Sequence, residues 1–264
     1  MKIKRDKTVG IVGGMGPHSG CDLFEKILSN SSAKTDQEYI SVVLMSFPSS
    51  HVDRTSFLLG ETSINPAYSI VDVIRKLEVS GAEIVGISCN TAYSPRIFNV
   101  IQNELKRVKC NIKLLSMPFE TCMKIKREHS NITRVGIMAT NGTYKSEIYK
   151  KQLVDLGLEP ITPDFEFQNE IIHAMIYDPE YGIKSNPEHI HAKAKVLVKK
   201  AIEYFKNQGA EAIILGCTEL SLIIKEKNIK GMEIIDSTQE FSRALIKEAK
   251  VALQNPKELS FLTN

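Results

Sequence analysis

The chain carries one short pattern twice: Gly81 to Thr91 reads GAEIVGISCNT, and Gly209 to Leu220 reads GAEAIILGCTEL. In each, Gly-Ala-Glu leads into an apolar run that stops at a cysteine, Cys89 or Cys217, followed by small polar residues. The runs are short, rich in Ile and Val and bounded by glycine and polar residues, which suits strands buried on both faces of a parallel sheet. Ligands of open parallel sheets bind beyond the carboxyl ends of the strands. Each thiol is therefore expected at a strand end, and the function between the two.

The surrounding segments extend the duplication. Thr8 to Gly13 reads as a first strand, and Gly14, Met15, Gly16 and Pro17 turn the chain into a helix over His18 to Leu28. Pro17 suits the first helical turn, where its missing N–H is not needed. Glycines in such a turn let a ligand approach backbone N–H groups, and the helix start favours an anion; a tight turn needing positive φ explains the same residues. Tyr39 to Phe47 reads as a strand, Pro48 to Gly60 as a polar loop with His51, Asp53 and Arg54, Asn65 to Val79 and Ser94 to Val108 as helices, and Ile112 to Met117 as a fourth strand. In the second half Arg134 to Thr140 echoes the first strand, Lys145 to Leu156 and Glu188 to Asn207 read as helices, and Glu233 to Ser237 as a last strand. Tyr177 to Pro187 is a Gly/Pro-punctuated loop placed to close over a cleft.

Strands alternating with helices predict an α/β fold. We expect two pseudo-symmetric domains, each a mostly four-stranded parallel sheet flanked by helices, with the active site in the interdomain cleft. Residues 1–117 form the first and 118–237 the second, and a C-terminal helix within about 238–264 (helical pattern from Gln239 to Leu253) packs back on the first.

Composition excludes several classes. Charged residues make up 25% and the formal net charge is +3, without the clustered basic stripe of a nucleic-acid surface. The basic start MKIKRDK is followed by an apolar run too short and too glycine-broken for a signal peptide, and no run approaches a membrane span. A cytoplasmic location is expected, in which Cys21, Cys89, Cys110, Cys122 and Cys217 stay reduced. None of the five forms a Cys-x-x-Cys pair, and His18, His173, His189 and His191 lack metal spacing apart from the bare pair His189 and His191.

A cysteine alone reads as a small buried hydrophobe. Two at matched strand ends argue for chemistry. If an approximate twofold axis faces the domains across one cleft, Cys89 and Cys217 reach a small ligand from opposite sides, which is what inversion of a stereocentre by removal and return of a proton requires. A thiol ionises near enough to neutrality, at about 8.5, to exchange between acid and base roles. Developing carboxylate charge needs preorganised N–H groups and cations, and the amides and side chains of Asn90, Thr91 and Thr218 are placed to help.

At these residues the sequence resembles the cofactor-independent aspartate/glutamate racemase superfamily, and its aspartate racemase branch. The resemblance rests on GIVGGMGP at Gly10 to Pro17, DRT at Asp53 to Thr55, CNTA at Cys89 to Ala92, YGIK at Tyr181 to Lys184 and GCTE at Gly216 to Glu219. It implies that Cys89 and Cys217 are the catalytic acid/bases and that Met15, Arg54, Thr55, Asn90, Thr91, Lys184 and Thr218 contact substrate. Arg54 and Lys184 would bind the second carboxylate of aspartate. It also implies catalysis without pyridoxal phosphate, flavin or metal, a small amino-acid substrate, no nucleic-acid or membrane partner, and a homodimer. Glutamate racemases typically carry Asp-Ser after the first strand and His-Tyr-Pro after the second Cys-Thr, where this chain has Gly-Met-Gly-Pro and Glu219-Leu220. Tyr93 stands where the family commonly has histidine.

Other readings share these residues. A glutamate or broad-specificity racemase keeps the fold and the two thiols; a related decarboxylase would need only one. A non-catalytic binder of acidic amino acids could use the same cleft, and a nicotinamide-dependent enzyme is disfavoured because Ser19 replaces the third glycine of its fingerprint.

Overall fold

In the structure, a computed structural model describing residues 6–250, the glycine-flanked apolar runs form the centres of two sheets. The first holds β1 (Val9–Gly13), β2 (Val42–Ser46), β3 (Ile84–Ile87) and β4 (Lys113–Leu114), all parallel, in the order β2-β1-β3-β4. The second holds β5 (Arg134–Met138), β6 (Glu159–Ile161), β7 (Ala212–Leu215), β8 (Asn228–Ile229) and β9 (Met232–Asp236), in the order β6-β5-β7-β9-β8. Only β8 runs antiparallel, against β9. Without it the second sheet repeats the topology of the first, strand for strand. The fold is α/β, two sheets flanked by helices, the second five-stranded rather than four-stranded and parallel except for β8.

Helices α1 (Pro17–Ser29), α2 (Arg54–Leu59), α3 (Ala67–Val79), α4 (Pro95–Arg107) and α5 (Met117–Glu128) belong to the first half. Prolines open α1, α4 and α5 in the first turn. Apolar residues at helical spacing, such as Ile70, Val73, Ile74 and Leu77 of α3, are buried against the sheet. The second half holds α6 (Asn141–Ser146), α7 (Ile148–Asp155), α8 (Phe165–Phe167), a π-helical turn (Gln168–His173), α9 (Ala174–Tyr177), α10 (Ala192–Asn207), α11 (Leu220–Ile223) and α12 (Ser237–Ala249). Asp236 caps α12 by accepting from the amides of Thr238 and Gln239.

The final helix, though it follows the second sheet, packs on α1, α5 and β3. Its fully buried Phe241 sits in a core that runs from β1 and β3 onto one face of the second sheet at Val135, Ile137, Ile214 and Ile235. Truncating such a phenylalanine to alanine costs about 3–5 kcal/mol. A second core lies on the other face, where Ile213 and Leu215 meet Leu197, Val198 and Phe205 of α10. The expected reach of the last helix to Leu253 or beyond falls outside the described residues.

Several boundaries differ from expectation. The strand read over Ile112 to Met117 is only Lys113–Leu114, because Met117 and Pro118 already start α5. The helix read over Lys145 to Leu156 is broken at Glu147, which takes φ 54° between α6 and α7. The helix read from Glu188 begins at Ala192, with His191 accepting from the Lys193 amide at its start. The short edge strand β6, with Pro160 inside it, carried no readable pattern.

Candidate active site

Both sheets end in the same way. Beyond β3, the Ser88 amide donates to Val12 O at 3.0 Å, and beyond β7 the Gly216 amide donates to Met138 O at 2.8 Å. Val12 and Met138 lie near the ends of the neighbouring strands β1 and β5. The next residue in each case is the cysteine, so Cys89 and Cys217 occupy equivalent places. Both are 6% exposed.

Their charged surroundings are opposite in kind. Beside Cys89 lies the buried guanidinium of Arg54, the first residue of α2. Its Nη2 donates to Met15 O at 3.2 Å and its Nη1 to Val52 O at 3.3 Å, while Nε has no hydrogen-bond partner. Burial opposes charge on Arg54, but the Cys89 sulfur, the Tyr177 hydroxyl and Asp53 more than offset it and hold the guanidinium above its usual range.

Beside Cys217 lies a carboxylate. Cys217 Sγ and Thr218 Oγ1 each donate to Glu219 Oε2 at 3.0 Å. The other oxygen, Oε1, accepts from the Lys184 ammonium and from the Gly16 amide, the latter at 3.4 Å. Burial would favour the neutral acid, but Lys184 and the Cys217 and Lys184 hydrogen bonds hold Glu219 well below the usual carboxylate range. Burial likewise works against the charge on Lys184, and the Glu219 carboxylate outweighs it, keeping the ammonium above the ordinary lysine range. Cys217 is pushed well above an ordinary thiol, first by burial and then by the adjacent Glu219 charge. The anion expected at the start of α1 is thus a side chain from the other half of the molecule.

The glycine turn that receives it depends on Gly14, whose φ is 88° and whose missing Cβ would come within 3.0 Å of the Phe47 and Pro48 nitrogens. Gly182 is equally constrained in the segment that carries Lys184. Backbone bonds from Gly182 to Asp178 O at 2.8 Å, Ile183 to Met175 O at 2.9 Å and Lys184 to Ile176 O at 3.1 Å fold this segment back on α9. A Cβ on Gly182 would meet Asp178 O at 2.5 Å. The resulting lid is fixed across the cleft: Tyr177 Oη donates to Asp53 Oδ2 at 3.0 Å, and Asp53 Oδ1 caps α2 by accepting from the Ser56 amide at 2.8 Å. Lys184 lies over the Tyr177 ring at 5.5 Å, and His173 stacks on it at 4.7 Å.

Arg54, Asp53, Tyr177, Lys184, Glu219 and Gly16 line one cleft of about 260 Å³. Neither sulfur is part of that lining. The structure therefore brings together Met15 (through its carbonyl), Arg54, Lys184 and Thr218. Thr55 is buried close to the Tyr177 hydroxyl, without the geometry of a hydrogen bond. Asn90 and Thr91 have their side chains turned to the second half: Tyr149 Oη donates to Asn90 Oδ1 at 2.5 Å, Asn90 Nδ2 donates to Ser237 Oγ at 3.1 Å, and Thr91 Oγ1 pairs with Thr140 and Thr143 hydroxyls at 3.1 and 2.9 Å. Tyr93 turns into the core, its hydroxyl donating to Ile87 O and accepting from Ile87 N at 3.2 and 3.0 Å. It supports the end of β3 and offers no group to the cleft. Among the described residues no cluster of three His, Cys, Asp or Glu could hold a metal ion, and no helix is long and apolar enough to cross a membrane.

In the sequence Glu219 and Asp53 stand inside motifs that give neither a role, Tyr177 and Ser237 only bound a loop and a strand, and Tyr149 falls within a helix. Asp53 carried one signal, its place beside Arg54, and Tyr177 another, its place at the start of the Gly/Pro-punctuated loop. Tyr149 and Ser237 carried none.

A family model described as Asp/Glu/Hydantoin racemase matches residues 12–245. The solved aspartate racemase of Picrophilus torridus is 28% identical and superposes with a TM-score of 0.72 over 92% of this chain and 94% of its own. The broad specificity amino-acid racemase RacX of Bacillus subtilis (strain 168) is 26% identical over 90% of this chain and 96% of its own length. The glutamate racemase of Limosilactobacillus reuteri (strain DSM 20016) is 28% identical over 66% of this chain and 58% of its own length.

Proposed function

We propose, because the chain belongs to the Asp/Glu/hydantoin racemase family, that it interconverts the enantiomers of an acidic amino acid, with aspartate as the leading substrate. The observation that carries this reading is the unequal environment of two equivalent buried thiols, Cys89 beside a guanidinium and Cys217 beside a carboxylate. Cys89, as thiolate, takes the α-proton from one face; Cys217 returns its S–H proton to the other face, and the product leaves with the configuration inverted. The reverse reaction exchanges the roles. The carbanion formed between the two transfers is spread onto the α-carboxylate, where backbone amides following each cysteine supply donors.

Arg54 and Lys184 both line a cleft of about 260 Å³, a size and charge suited to a small amino acid with a second carboxylate. The Arg54 Nε–H, buried and unpartnered, is a donor available to it. A broader specificity is favoured by one observation: the Lys184 charge is already offset by Glu219, so the cleft is less positive than its two cations alone would make it. A homodimer, and contact of Asn90 and Thr91 with substrate through their backbone amides while their side chains stay bonded to the second half, belong to the same proposal.

The test is proton NMR of L-aspartate incubated with the protein in D2O under reducing conditions, with optical rotation followed in parallel. Loss of the α-proton signal with decaying rotation is expected, and the decay of rotation should stop in Cys89→Ala and in Cys217→Ala. Full turnover in either variant would overturn the two-thiol mechanism. A persistent α-proton signal with aspartate would move the substrate to glutamate or neutral amino acids, and binding without exchange of any of them would make the protein a binder.

A further inference from the structure

Topology makes Cys89 and Cys217 equivalent, yet one of them has a dedicated hydrogen-bond acceptor. Glu219 lies two residues beyond Cys217 and is 5% exposed, and every bond given to its carboxylate comes from a donor: Cys217, Thr218, Lys184 and Gly16. A buried carboxylate with four donors and a paired cation is a fixed anion. A thiolate 3.0 Å from it would put two negative charges side by side in a site that excludes water. We propose that Glu219 is a positioning residue that keeps the proton on Cys217 in the substrate-free protein, so that Cys217 rests as the acid of the pair. The inference rests on the two-thiol reading above for its catalytic meaning, though not for its test.

The groups around Cys217 support one sign. On its own segment stand Glu219 and Thr218; from the lid comes Lys184, with Tyr177 behind it; from the turn before α1 comes the Gly16 amide. Asp236, at the end of the adjacent strand β9, is tied to Lys26 at 2.7 Å, which also holds Asp22 at 2.7 Å. Arg54, Asp53 and His18 lie on the cleft lining with Lys184. The cation facing Cys217 most directly, Lys184, is engaged by Glu219, so it offsets the carboxylate rather than serving the sulfur.

The consequence is a defined proton position at Cys217. The enantiomer whose α-hydrogen faces Cys89 meets Cys217 with the proton to be returned already in place; the other needs Cys217 to give that proton up first. Because the enantiomers have equal free energies, kcat/KM is the same in both directions at every pH. The inequality therefore shows in the thiol titration, and in kcat and KM only when they change together.

The experiment follows thiolate ultraviolet absorbance against pH in the full-length protein, with the Cys217→Ser protein as the reference to be subtracted, and reads iodoacetamide alkylation of the Cys217 peptide by mass spectrometry. Cys217 is expected to stay protonated above the ordinary thiol range of about 8.5. Glu219→Gln, which keeps an acceptor and removes the charge, should lower the midpoint by at least one unit and speed alkylation at neutral pH about tenfold. A Cys217 midpoint at or below the ordinary range in the unaltered protein, or an unmoved midpoint in a folded Glu219→Gln protein, overturns the proposal. Should that variant not fold, the titration of the unaltered protein decides. All readings are made without substrate, so absence of racemisation would sink the proposed function and leave this inference standing, and the reverse holds equally.

Discussion

Tyr177 donates its hydroxyl to Asp53 Oδ2 at 3.0 Å, joining residues 124 positions apart, one leading into the lid and the other capping the helix that starts with Arg54. Through this bond the two thiols are connected by an unbroken series of polar neighbours, from Cys89 to Arg54, Asp53, Tyr177, Lys184, Glu219 and Cys217. The lid thus carries one cation of the cleft and orients the other. One bond links the segment bearing Lys184 to the helix bearing Arg54.

Tyr177→Phe should loosen the lid while keeping the ring over which Lys184 lies. A hydrogen bond to a partly exposed carboxylate is worth about 1 kcal/mol, a factor of about five. KM for aspartate is expected to rise by about that factor with kcat less affected, and limited proteolysis between Tyr181 and Pro187 should quicken. Unchanged KM together with unchanged proteolysis would mean the bond does not hold the lid.

Arg54→Lys keeps the charge and loses the fork. The guanidinium reaches Met15 O and Val52 O at once and still presents Nε, which a single ammonium cannot do. Losing charge-assisted bonds at a buried site predicts a fall in kcat/KM of about tenfold to a hundredfold. Steady-state kinetics with aspartate, beside urea unfolding to confirm the fold, checks it. A variant as active as the parent would remove Arg54 from substrate binding.

How much of this was legible is uneven, for physical reasons. The four strands that centre the sheets were readable because continuous apolar runs bounded by glycine have few alternatives. The Glu147 break was not, since no glycine or proline marks its positive φ. At the site, local motifs exposed Cys89, Arg54, Lys184 and Cys217. Glu219 stood inside one of them, but its partners Gly16 and Lys184 are 203 and 35 residues away, and nothing local states that a carboxylate will be buried against them. Tyr93 shows the converse. It stands where the family commonly has histidine, and its packing sends the hydroxyl to Ile87.

His51 gives the stability a pH dependence of definite sign. Burial, and then the nearby Arg54 charge, lower it from 6.5 to about 4, while its Nδ1 pairs with Ser69 Oγ at 2.9 Å. Between these two values the unfolded chain binds the proton that the folded protein refuses, so stability rises with pH from about 4 to 6.5 and is lost as pH falls through that window. His173, lowered by burial, adds the same sign. Urea midpoints measured across this range should climb with pH, and the climb should be shallower in His51→Gln. An identical slope in the variant would show that His51 is not the group responsible.

Tyr149 tests whether the second half of the molecule orients Asn90. Its hydroxyl donates to Asn90 Oδ1, Asn90 Nδ2 donates to Ser237 Oγ, and Ser237 Oγ donates to Leu215 O at 2.7 Å, in the strand that leads to Cys217. The series fixes which end of the amide is oxygen and which is nitrogen, and it runs from beside one thiol to the strand bearing the other. Tyr149→Phe leaves a buried amide oxygen without its donor, a loss of about 1–3 kcal/mol in stability. Asn90 is then free to turn, so kcat/KM should fall even after the variant is shown to be folded. Because the bonds polarise one another, Tyr149→Phe and Ser237→Ala should not add: the double variant is expected to lose less stability than the sum of the two. Strict additivity in a double-mutant cycle, read by urea unfolding, would mean that the two hydroxyls act separately and that Asn90 is held by packing alone.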